Sequence, residues 1–414
     1  MINRLILNKH FYFLLACFLL ELLCLSLYSF SSYFFSILYF VAGLSIVFIP
    51  VFYSSKNDSF LPKRNNWERL LYLIVFLILS NWLLNVFKLH IKGSPLKREA
   101  SDMLLYIKVM AERFLNGNPD IYAKVVEVWG VPFDAVYLPA MWLPYSLPIK
   151  IGADLRWASF FSIVFSFALV FYILINKNYR WFIVALIIPL IALFINELLR
   201  GGAWYFTYTE EGVAAFYYSL LCFSLLSKKW RLAGISIGLC LLSRFTLILF
   251  LPAIFLLLFS NNKQQLKTLF FYTLFSVVGL LLFSGTSDEI LTILAIPFKY
   301  QEMINQPISA ERLAVLNQNL GLFKFFLFMG ESAKKLAVPI TVLATCIFAI
   351  YLKINKQNIL TIEYQILYLL KLTLVVFFNF LVFPNTYLLY TSSFVSLFII
   401  TSVSYNTEPK GCSE

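Results

Sequence analysis

The sequence has few charged residues and almost no histidine, and both shortages restrict what the protein can be. Charged residues make up 13% of the 414 residues, about half the share found in ordinary soluble domains. His10 and His90 are the only histidines, and they lie far apart. The sequence therefore predicts neither a histidine zinc site nor a serine–histidine catalytic triad.

Cysteine is present, but it follows no pattern of disulfides or metal ligands. Five of the six cysteines lie inside apolar runs, and the sixth is near the end of the chain. Because no paired spacing is present, we expect no disulfide framework and no cysteine metal site. No cofactor is expected, and metal dependence stays open, although Asp102 with scattered carboxylates and no histidine cluster gives little reason to assume a bound cation.

Long apolar runs dominate what remains. Hydrophobic residues make up 61% of the chain, and Phe occurs 44 times. Many runs approach the ~20 residues that a helix needs to cross ~30 Å of hydrocarbon. We therefore predict one all-α polytopic membrane domain over residues 1–414, with about 11–12 transmembrane helices. The predicted spans are residues 11–28, 33–53, 70–89, 157–175, 181–198, 213–226, 232–259, 268–284, 336–352, 359–383 and 387–405.

One predicted span is interrupted by a charge. Ser243 and Arg244 fall near the middle of the run over residues 232–259. A single helix there would place a charged side chain in lipid, at a cost of ~2.5–3.5 kcal/mol or more. A hairpin of two short helices with Arg244 at its turn is the better interpretation.

The basic residues set a predicted orientation. The formal net charge is +12, but the Lys and Arg residues lie between apolar runs rather than along one face, so no nucleic-acid partner is indicated. They gather in alternate connections, which places those connections in the cytoplasm. Two long segments, residues 91–156 and 285–335, then lie on the outer face of the cell (inner) membrane. Arg200 and Arg244 are exceptions on that outer side.

The first outer segment opens with helical periodicity. Apolar residues recur from Met103 to Leu115, with Ser101 and Asp102 as N-cap candidates. We predict an amphipathic helix that lies on the membrane. Asp102 near a helix N-terminus is held ionised by the helix dipole and is therefore suited to accept a proton. The alternative is that Asp102 only caps the helix.

Several motifs carry a resemblance to a known family. Ser101-Asp102 precedes Tyr106, Gly117-Asn118-Pro119, Ile121-Tyr122 and Tyr137-Leu138-Pro139. This order resembles the outer loop of C-type membrane glycosyltransferases, in particular the polyprenol-phosphate-mannose-dependent glycosyltransferase family 87. The likeness extends to further fragments, namely Gly234 to Gly238 with Arg244, Leu316 to Leu320, and Pro384-Asn385 with Tyr387.

The resemblance implies a fold, an activity and site residues. The enzyme would transfer mannose, another hexose or a pentose from a polyprenyl-phosphate carrier to an envelope glycan or glycolipid, with inversion at the anomeric carbon. Its catalytic base would be Asp102. One carboxylate is enough, because a lipid phosphate leaves as a stabilised anion that needs no proton. Further substrate-binding candidates are Tyr106, Tyr122, Tyr137, Asn317, Gln318, Asn385 and Tyr387.

Arginine suits the phosphate of such a donor. The guanidinium of Arg244, and that of Arg200, would pair with phosphate oxygens through two parallel hydrogen bonds. Arg244 has the alternatives of reaching a lipid headgroup or pairing with a neighbouring carboxylate. Glu210 and Glu211 follow several aromatic residues and are sugar-binding candidates, although aromatic residues also gather at membrane interfaces.

Other charged residues and other functions stay open. Glu197 is spaced to pair with Arg200, while Lys371 and Glu363 within one span either pair with neighbours or extend to the interface. A transporter or flippase of lipid-linked sugars is one alternative function, and a non-catalytic envelope assembly factor is another. A transporter typically shows repeated halves with broken helices, and the sequence has one interrupted hairpin.

Overall fold

The computed structural model describes most of the chain. The described residues are 9–29, 32–52, 66–97, 101–176, 181–200, 206–259, 262–285, 287–305, 317, 319–355, 361–381 and 386–403. Among these residues, the one strand-like pairing is an isolated bridge between Val125 and Phe133. The predicted all-α class is confirmed.

Each predicted span falls on one or more helices. The helices are α1 (Lys9–Leu27), α2 (Ser32–Phe52), α3 (Asn66–Gly93), α4 (Asp102–Leu115), α5 (Pro139–Lys150), α6 (Trp157–Asn176), α7 (Trp181–Arg200), α8 (Glu211–Leu226), α9 (Trp230–Leu241), α10 (Leu251–Leu258), α11 (Lys263–Ser284), α12 (Ser287–Asn305), α13 (Ala337–Ile354), α14 (Ile362–Phe380) and α15 (Thr386–Val403). A first 3₁₀ helix (Phe245–Phe250) precedes α10, and a second (Phe323–Lys335) precedes α13.

Several helices suit a membrane. Seven of them, α1, α2, α3, α6, α11, α13 and α14, are long and apolar enough to cross one. The helices α3 and α11 also expose large apolar side chains along much of their length, such as Leu77, Ile78, Phe270, Phe275 and Leu282. Exposed apolar faces of this size are typical of surfaces that contact lipid or another protein rather than water. A polytopic membrane protein is therefore confirmed.

The centre of the protein is formed by α8, α14 and α15. The helix α8 packs on α6, α9 and α15, while α14 packs on α2, α13 and α15. Their side chains are buried around nearly the whole circumference. A helix that is apolar on all sides is stable only when other helices or lipid surround it. The packing of these helices therefore fixes the positions of polar residues at their ends, such as Glu211 in the first turn of α8.

The interrupted run forms the predicted hairpin. Gly234 of α9 lies against Leu269 and Tyr272 of α11, and Gly238 lies one turn further along against Ser276. The contacts advance together along both helices, so α9 and α11 run parallel. The described residues 242–259 between them must therefore return the chain in the opposite direction. A Cβ atom at Gly234 would lie 2.7 Å from the Cβ of Tyr272, so this glycine permits close helix packing.

The two long polar segments meet at one end of the helices. In the first segment, the backbone N–H of Ile121 donates to the carboxylate of Glu289 in the second segment over 2.5 Å. The backbone N–H of Leu322 donates to the carbonyl of Asn379, in the last turn of α14. The N–H of Ala140 donates to the carbonyl of Leu242, at the end of α9. These contacts make one polar end, built from the described residues of the segments 91–156 and 285–335 together with residues 206–211 and 242–244.

A buried ion pair connects the first and last parts of the bundle. Lys371 of α14 donates to Glu21 of α1 over 2.7 Å, and both side chains are fully buried. Lys371 also donates to the backbone carbonyl and the hydroxyl of Ser392, and Ser396 donates to the other oxygen of Glu21. The sequence left two alternatives for Lys371, pairing with a neighbour or extension to the interface, and the structure shows pairing with Glu21. Glu363 is also buried, in the first turn of α14.

Candidate functional site

The site begins at the N-terminus of α4. Ser101 is the N-cap residue, and its hydroxyl accepts the backbone N–H of Leu104 over 3.1 Å. The same hydroxyl donates to the carbonyl of Tyr208. Asp102 is therefore not the capping residue, and it lies in the first turn, where the helix dipole favours a negative charge. The cap also fixes this end of α4 to residues 206–211.

Asp102 is half-buried and keeps an oxygen available. Its Oδ1 atom accepts the N–H of Met103 over 2.8 Å. Its other oxygen accepts no hydrogen bond from any residue that the structure describes. A carboxylate held at one oxygen and open at the other has the geometry to accept a proton from a bound hydroxyl.

Aromatic rings lie one turn along α4 from this carboxylate. Tyr106 follows Asp102 by four residues and so lies on the same helix face. Its ring packs edge-on against Phe133, with centroids 6.4 Å apart. Partial burial raises the pKa of the Tyr106 hydroxyl, and the negative charge of Asp102 raises it further. The Tyr106 hydroxyl therefore stays protonated near Asp102.

Three charged residues form the second part of the site, where α8 begins and α9 ends. The guanidinium of Arg244 donates to Glu210 over 3.1 Å and forms a second ion pair with Glu211. Thr391 of α15 donates to Glu211 over 3.2 Å. Both glutamates are buried and Arg244 is mostly buried. The sequence left open whether Arg244 reaches a lipid headgroup or pairs with a neighbouring carboxylate, and the structure shows pairing with two carboxylates.

The sequence explains how this cluster reaches its position. Arg244 has an extended backbone and ends the break between α9 and the first 3₁₀ helix. Gly212 follows the two glutamates, and a Cβ atom there would lie 2.9 Å from the carbonyl oxygen of Ser159 in α6. Any side chain at this position would separate α6 from α8. Gly212 thus allows the glutamates to enter the packed end of the bundle.

The charges of this cluster do not balance. Two carboxylates face one guanidinium, so the ionised cluster has one excess negative charge. The Oε2 atom of Glu210 is buried without a hydrogen-bond partner in the described structure. Such an oxygen could accept a hydrogen bond from a hydroxyl group, for example that of a sugar. Both carboxylates contact one terminal nitrogen of Arg244, and its Nε atom has no hydrogen-bond partner in the described structure, so the guanidinium keeps an N–H that could donate to a phosphate.

A further ion pair, which the sequence analysis missed, fixes the first polar segment. Arg156 is almost completely buried, and it donates to Asp154 over 2.6 Å and 2.9 Å and to the carbonyls of Ser94 and Ile91. Burial raises the pKa of the Asp154 carboxyl, but the hydrogen bonds and charge of Arg156 outweigh it and hold that pKa below its ordinary value. The pair joins the end of α3 to the start of α6.

Tyr122 is part of the scaffold of the site. It is buried, and its hydroxyl accepts the indole N–H of Trp142 over 3.0 Å. Burial raises the pKa of Tyr122 well above its ordinary value. Glu289 accepts the backbone N–H groups of Ile121 and Tyr122. Glu289, which joins the two polar segments, was not among the residues predicted from the sequence.

Arg113 holds the loop that follows α4. Its guanidinium donates to the carbonyls of Ile121, Ala123 and Lys124 and to Glu127 over 3.1 Å. Backbone N–H groups at 126 and 127 and the charge of Arg113 hold the pKa of the exposed Glu127 carboxyl below its ordinary value. The turn after α4 is made by Gly117, whose φ of 66° favours glycine.

The remaining candidates are spread over the polar end or are not described. Tyr137 is half-buried in the first segment. Asn317 accepts the hydroxyl of Tyr33 at its side-chain oxygen over 3.1 Å. Gln318 and Asn385, and the side chains of Arg200 and Tyr387, lie outside the described residues. Glu197 accepts hydrogen bonds from Ser26 and Tyr390, which connect α7 to α1 and α15.

The structure therefore brings two groups of predicted residues close together. Ser101 contacts the backbone of Tyr208, which precedes Glu210 by two residues and Glu211 by three, and both glutamates pair with Arg244. A shallow open depression lies elsewhere, at the far end of α4, about 20 Å from Asp102 at a rise of about 1.5 Å per residue. We assign this depression no role. Comparisons with family models, curated proteins and solved structures find no match to this chain.

Proposed function

We propose that the protein is a membrane glycosyltransferase of the C-type class, with about 11–12 transmembrane helices. It transfers a sugar from a polyprenyl-phosphate carrier to a glycan or glycolipid acceptor on the outer face of the cell membrane. The observation that carries the proposal is the position of Asp102. It begins an amphipathic helix at the polar end of a membrane bundle, with one oxygen open and a buried cluster of charges next to its cap.

The proposed reaction needs one base and a held phosphate. Asp102 takes the proton of the acceptor hydroxyl as that oxygen attacks the anomeric carbon. The bond between this carbon and the phosphate oxygen breaks, and its electron pair leaves with the lipid phosphate. Attack opposite the leaving group inverts the anomeric carbon. Because the phosphate is already stable as an anion, no second carboxylate has to protonate it.

The direct test is a transfer assay on the purified protein. A panel of radiolabelled polyprenyl-phosphate sugars is offered in detergent micelles, with the acceptor extract of the same membrane. Release of the carrier from one donor, with the label moved to an acceptor, supports the proposal. A flippase would move the donor between leaflets of a vesicle without breaking the sugar–phosphate bond, and an assembly factor would do neither.

Substitutions of Arg244 can distinguish two roles of this residue, namely binding of the donor phosphate and neutralisation of the two glutamates. Arg244→Ala is expected to weaken donor use by roughly ten- to a hundredfold, since a lost charged hydrogen-bond partner costs ~1.5–3 kcal/mol. Its thermal stability should also fall, because the variant leaves Glu210 and Glu211 without their cation. Donor KM and melting temperature are measured on the same preparation.

Arg244→Lys is the matched variant. It keeps the positive charge between the glutamates and loses the two-pronged hydrogen bonding of the guanidinium. We expect its melting temperature to stay near that of the unmodified protein while donor use is partly retained. A folded Arg244→Ala protein with unchanged donor KM would show that Arg244 serves the glutamates alone.

The orientation of the polar end gives another prediction. Asn118 is exposed in the first polar segment, and Lys229 is exposed at the opposite end of α9 from Arg244. In a background without the native cysteines, Asn118→Cys in intact cells should react with a membrane-impermeant maleimide, and Lys229→Cys should react only after the cells are opened. The reverse labelling pattern would place the polar end in the cytoplasm and contradict the proposed site of transfer.

A further inference from the structure

Lys324 is a buried cation at the polar end. It lies in the second 3₁₀ helix, and its side chain is 4% exposed. Its ammonium donates to the carbonyl of Asn319 over 3.0 Å and lies 4.5 Å from the centre of the Tyr33 ring. Within the described structure it has no carboxylate partner. An ammonium buried in this way is normally paired, because desolvation opposes its charge.

Three other largely buried cations in the described part of the chain have counter-ions. Arg156 pairs with Asp154, Lys371 pairs with Glu21, and Arg244 faces two glutamates. Lys324 differs from them because its contacts are a neutral carbonyl and an aromatic face. These contacts leave donor capacity in a group that has three N–H bonds. Among the described residues of the polar end, Lys324 is therefore a buried positive charge without a carboxylate partner, and an external anion could balance it.

A second donor lies beside Lys324. The side-chain oxygen of Asn317 accepts the hydroxyl of Tyr33, and the same Tyr33 ring lies under the Lys324 ammonium. With its oxygen used in this way, Asn317 has its amide N–H₂ group left to donate. The φ of 142° at Gly321 is a backbone conformation that favours glycine, and it forms the turn between Asn319 and the second 3₁₀ helix.

We propose that Lys324 and Asn317 form a binding site for a phosphate ester. The ammonium supplies the charge, and the Asn317 amide supplies a further hydrogen bond. That this phosphate belongs to the polyprenyl-phosphate donor rests on the proposed function, whereas the anion site itself does not. The proposal gives the phosphate a cation without a described counter-ion, in addition to Arg244, whose charge the two glutamates already balance.

The state of Lys324 in the unliganded protein fits this assignment. Burial lowers the pKa of its ammonium to about 8. A bound phosphate would favour the charged form and raise this pKa again. Phosphate binding should therefore weaken as the pH rises above about 8, where the free side chain loses its proton. Tyr33 is the titratable side chain in contact with Lys324 among the described residues.

The experiment measures binding without transfer. The full-length protein in neutral detergent is titrated with three probes, namely a short-chain polyprenyl phosphate, inorganic phosphate and micelles that contain phosphatidylglycerol. Lys324→Gln should weaken binding of the polyprenyl phosphate at least tenfold. Lys335→Gln is the matched control, because Lys335 is exposed at the end of the same 3₁₀ helix. The control should bind as the unmodified protein does.

The probes identify the source of the phosphate. Preference for the polyprenyl phosphate supports a donor site, whereas equal loss of all three probes in Lys324→Gln supports a general phosphate site. Preference for phosphatidylglycerol would contradict the donor assignment and identify a structural lipid. Equal polyprenyl phosphate affinity in Lys324→Gln and the unmodified protein would overturn the proposal. Loss of binding in Lys324→Gln, together with no transfer by the unmodified protein from any donor, would support the phosphate site and reject the glycosyltransferase.

The variant Lys324→Arg keeps a positive charge at this position, so it tests the role of Lys324 even if Lys324→Gln folds poorly. Arginine stays charged over the whole working range of pH, and a phosphate monoester is doubly charged above its second pKa of about 6. Between pH 7.5 and about 9.5, affinity should fall for the unmodified protein and stay level for Lys324→Arg. The same decline in both proteins would show that another group causes it and would contradict the role of Lys324.

Discussion

The folded Asp102→Asn variant is expected to transfer sugar at least ~10²–10⁴-fold more slowly, because this is the rate enhancement that a general base typically supplies. Asparagine keeps the size of the side chain and an oxygen able to accept the N–H of Met103. It lacks the basic lone pair that would take the acceptor proton. The cap of α4 should survive, because Ser101 and not Asp102 makes it. The thermal stability of the variant should therefore change little, whereas its transfer rate should fall strongly.

Transfer rate, donor affinity and melting temperature should be measured on one Asp102→Asn preparation. Donor affinity should persist, since the phosphate is held by cations elsewhere on the polar end. Asp120→Asn is the matched control, because Asp120 is an exposed carboxylate in the same segment, and it should transfer normally. Near-normal transfer by Asp102→Asn would remove the proposed base and leave Asp102 with only its place in the first turn of α4.

Removing one partner of the buried pair should have the largest effect on folding. Lys371→Met leaves the fully buried Glu21 without its cation, and a broken buried pair costs about 3–5 kcal/mol. Through Ser392 and Ser396 the pair also joins α14 and α15 to α1. The unfolding free energy is measured by denaturant titration in mixed micelles. A loss of this size is a large fraction of the ~5–15 kcal/mol by which a folded protein is typically stable.

The double variant tests whether charge is the cause. Glu21→Leu combined with Lys371→Met replaces the pair by apolar side chains of similar size, and such exchanges are often neutral or stabilising. We expect the double variant to recover most of the stability that Lys371→Met loses. If the double variant is as unstable as the single one, the contribution of these positions is packing and the charge argument is wrong.

Local patterns in the sequence were sufficient for much of the fold. The apolar runs predicted the helices, because a helix in lipid satisfies its own backbone hydrogen bonds and needs only length and apolar side chains. Ser101 was a predicted cap, and its hydroxyl makes the capping hydrogen bond. Arg244 predicted the break between α9 and the first 3₁₀ helix, because a charge is costly inside a continuous apolar span.

The partners of the charges required the tertiary structure. Glu21 and Lys371 lie 350 positions apart, and Arg244 is 34 positions from Glu210, so no helical periodicity relates them. The sequence left pairing and extension to the interface open for Lys371, and the packing of α1, α14 and α15 decided between them. Likewise, Lys324 was not a candidate, because a lysine in a polar segment looks solvated until packing buries it. Composition and short-range spacing fix helices, whereas the environment of each charge depends on which helices meet.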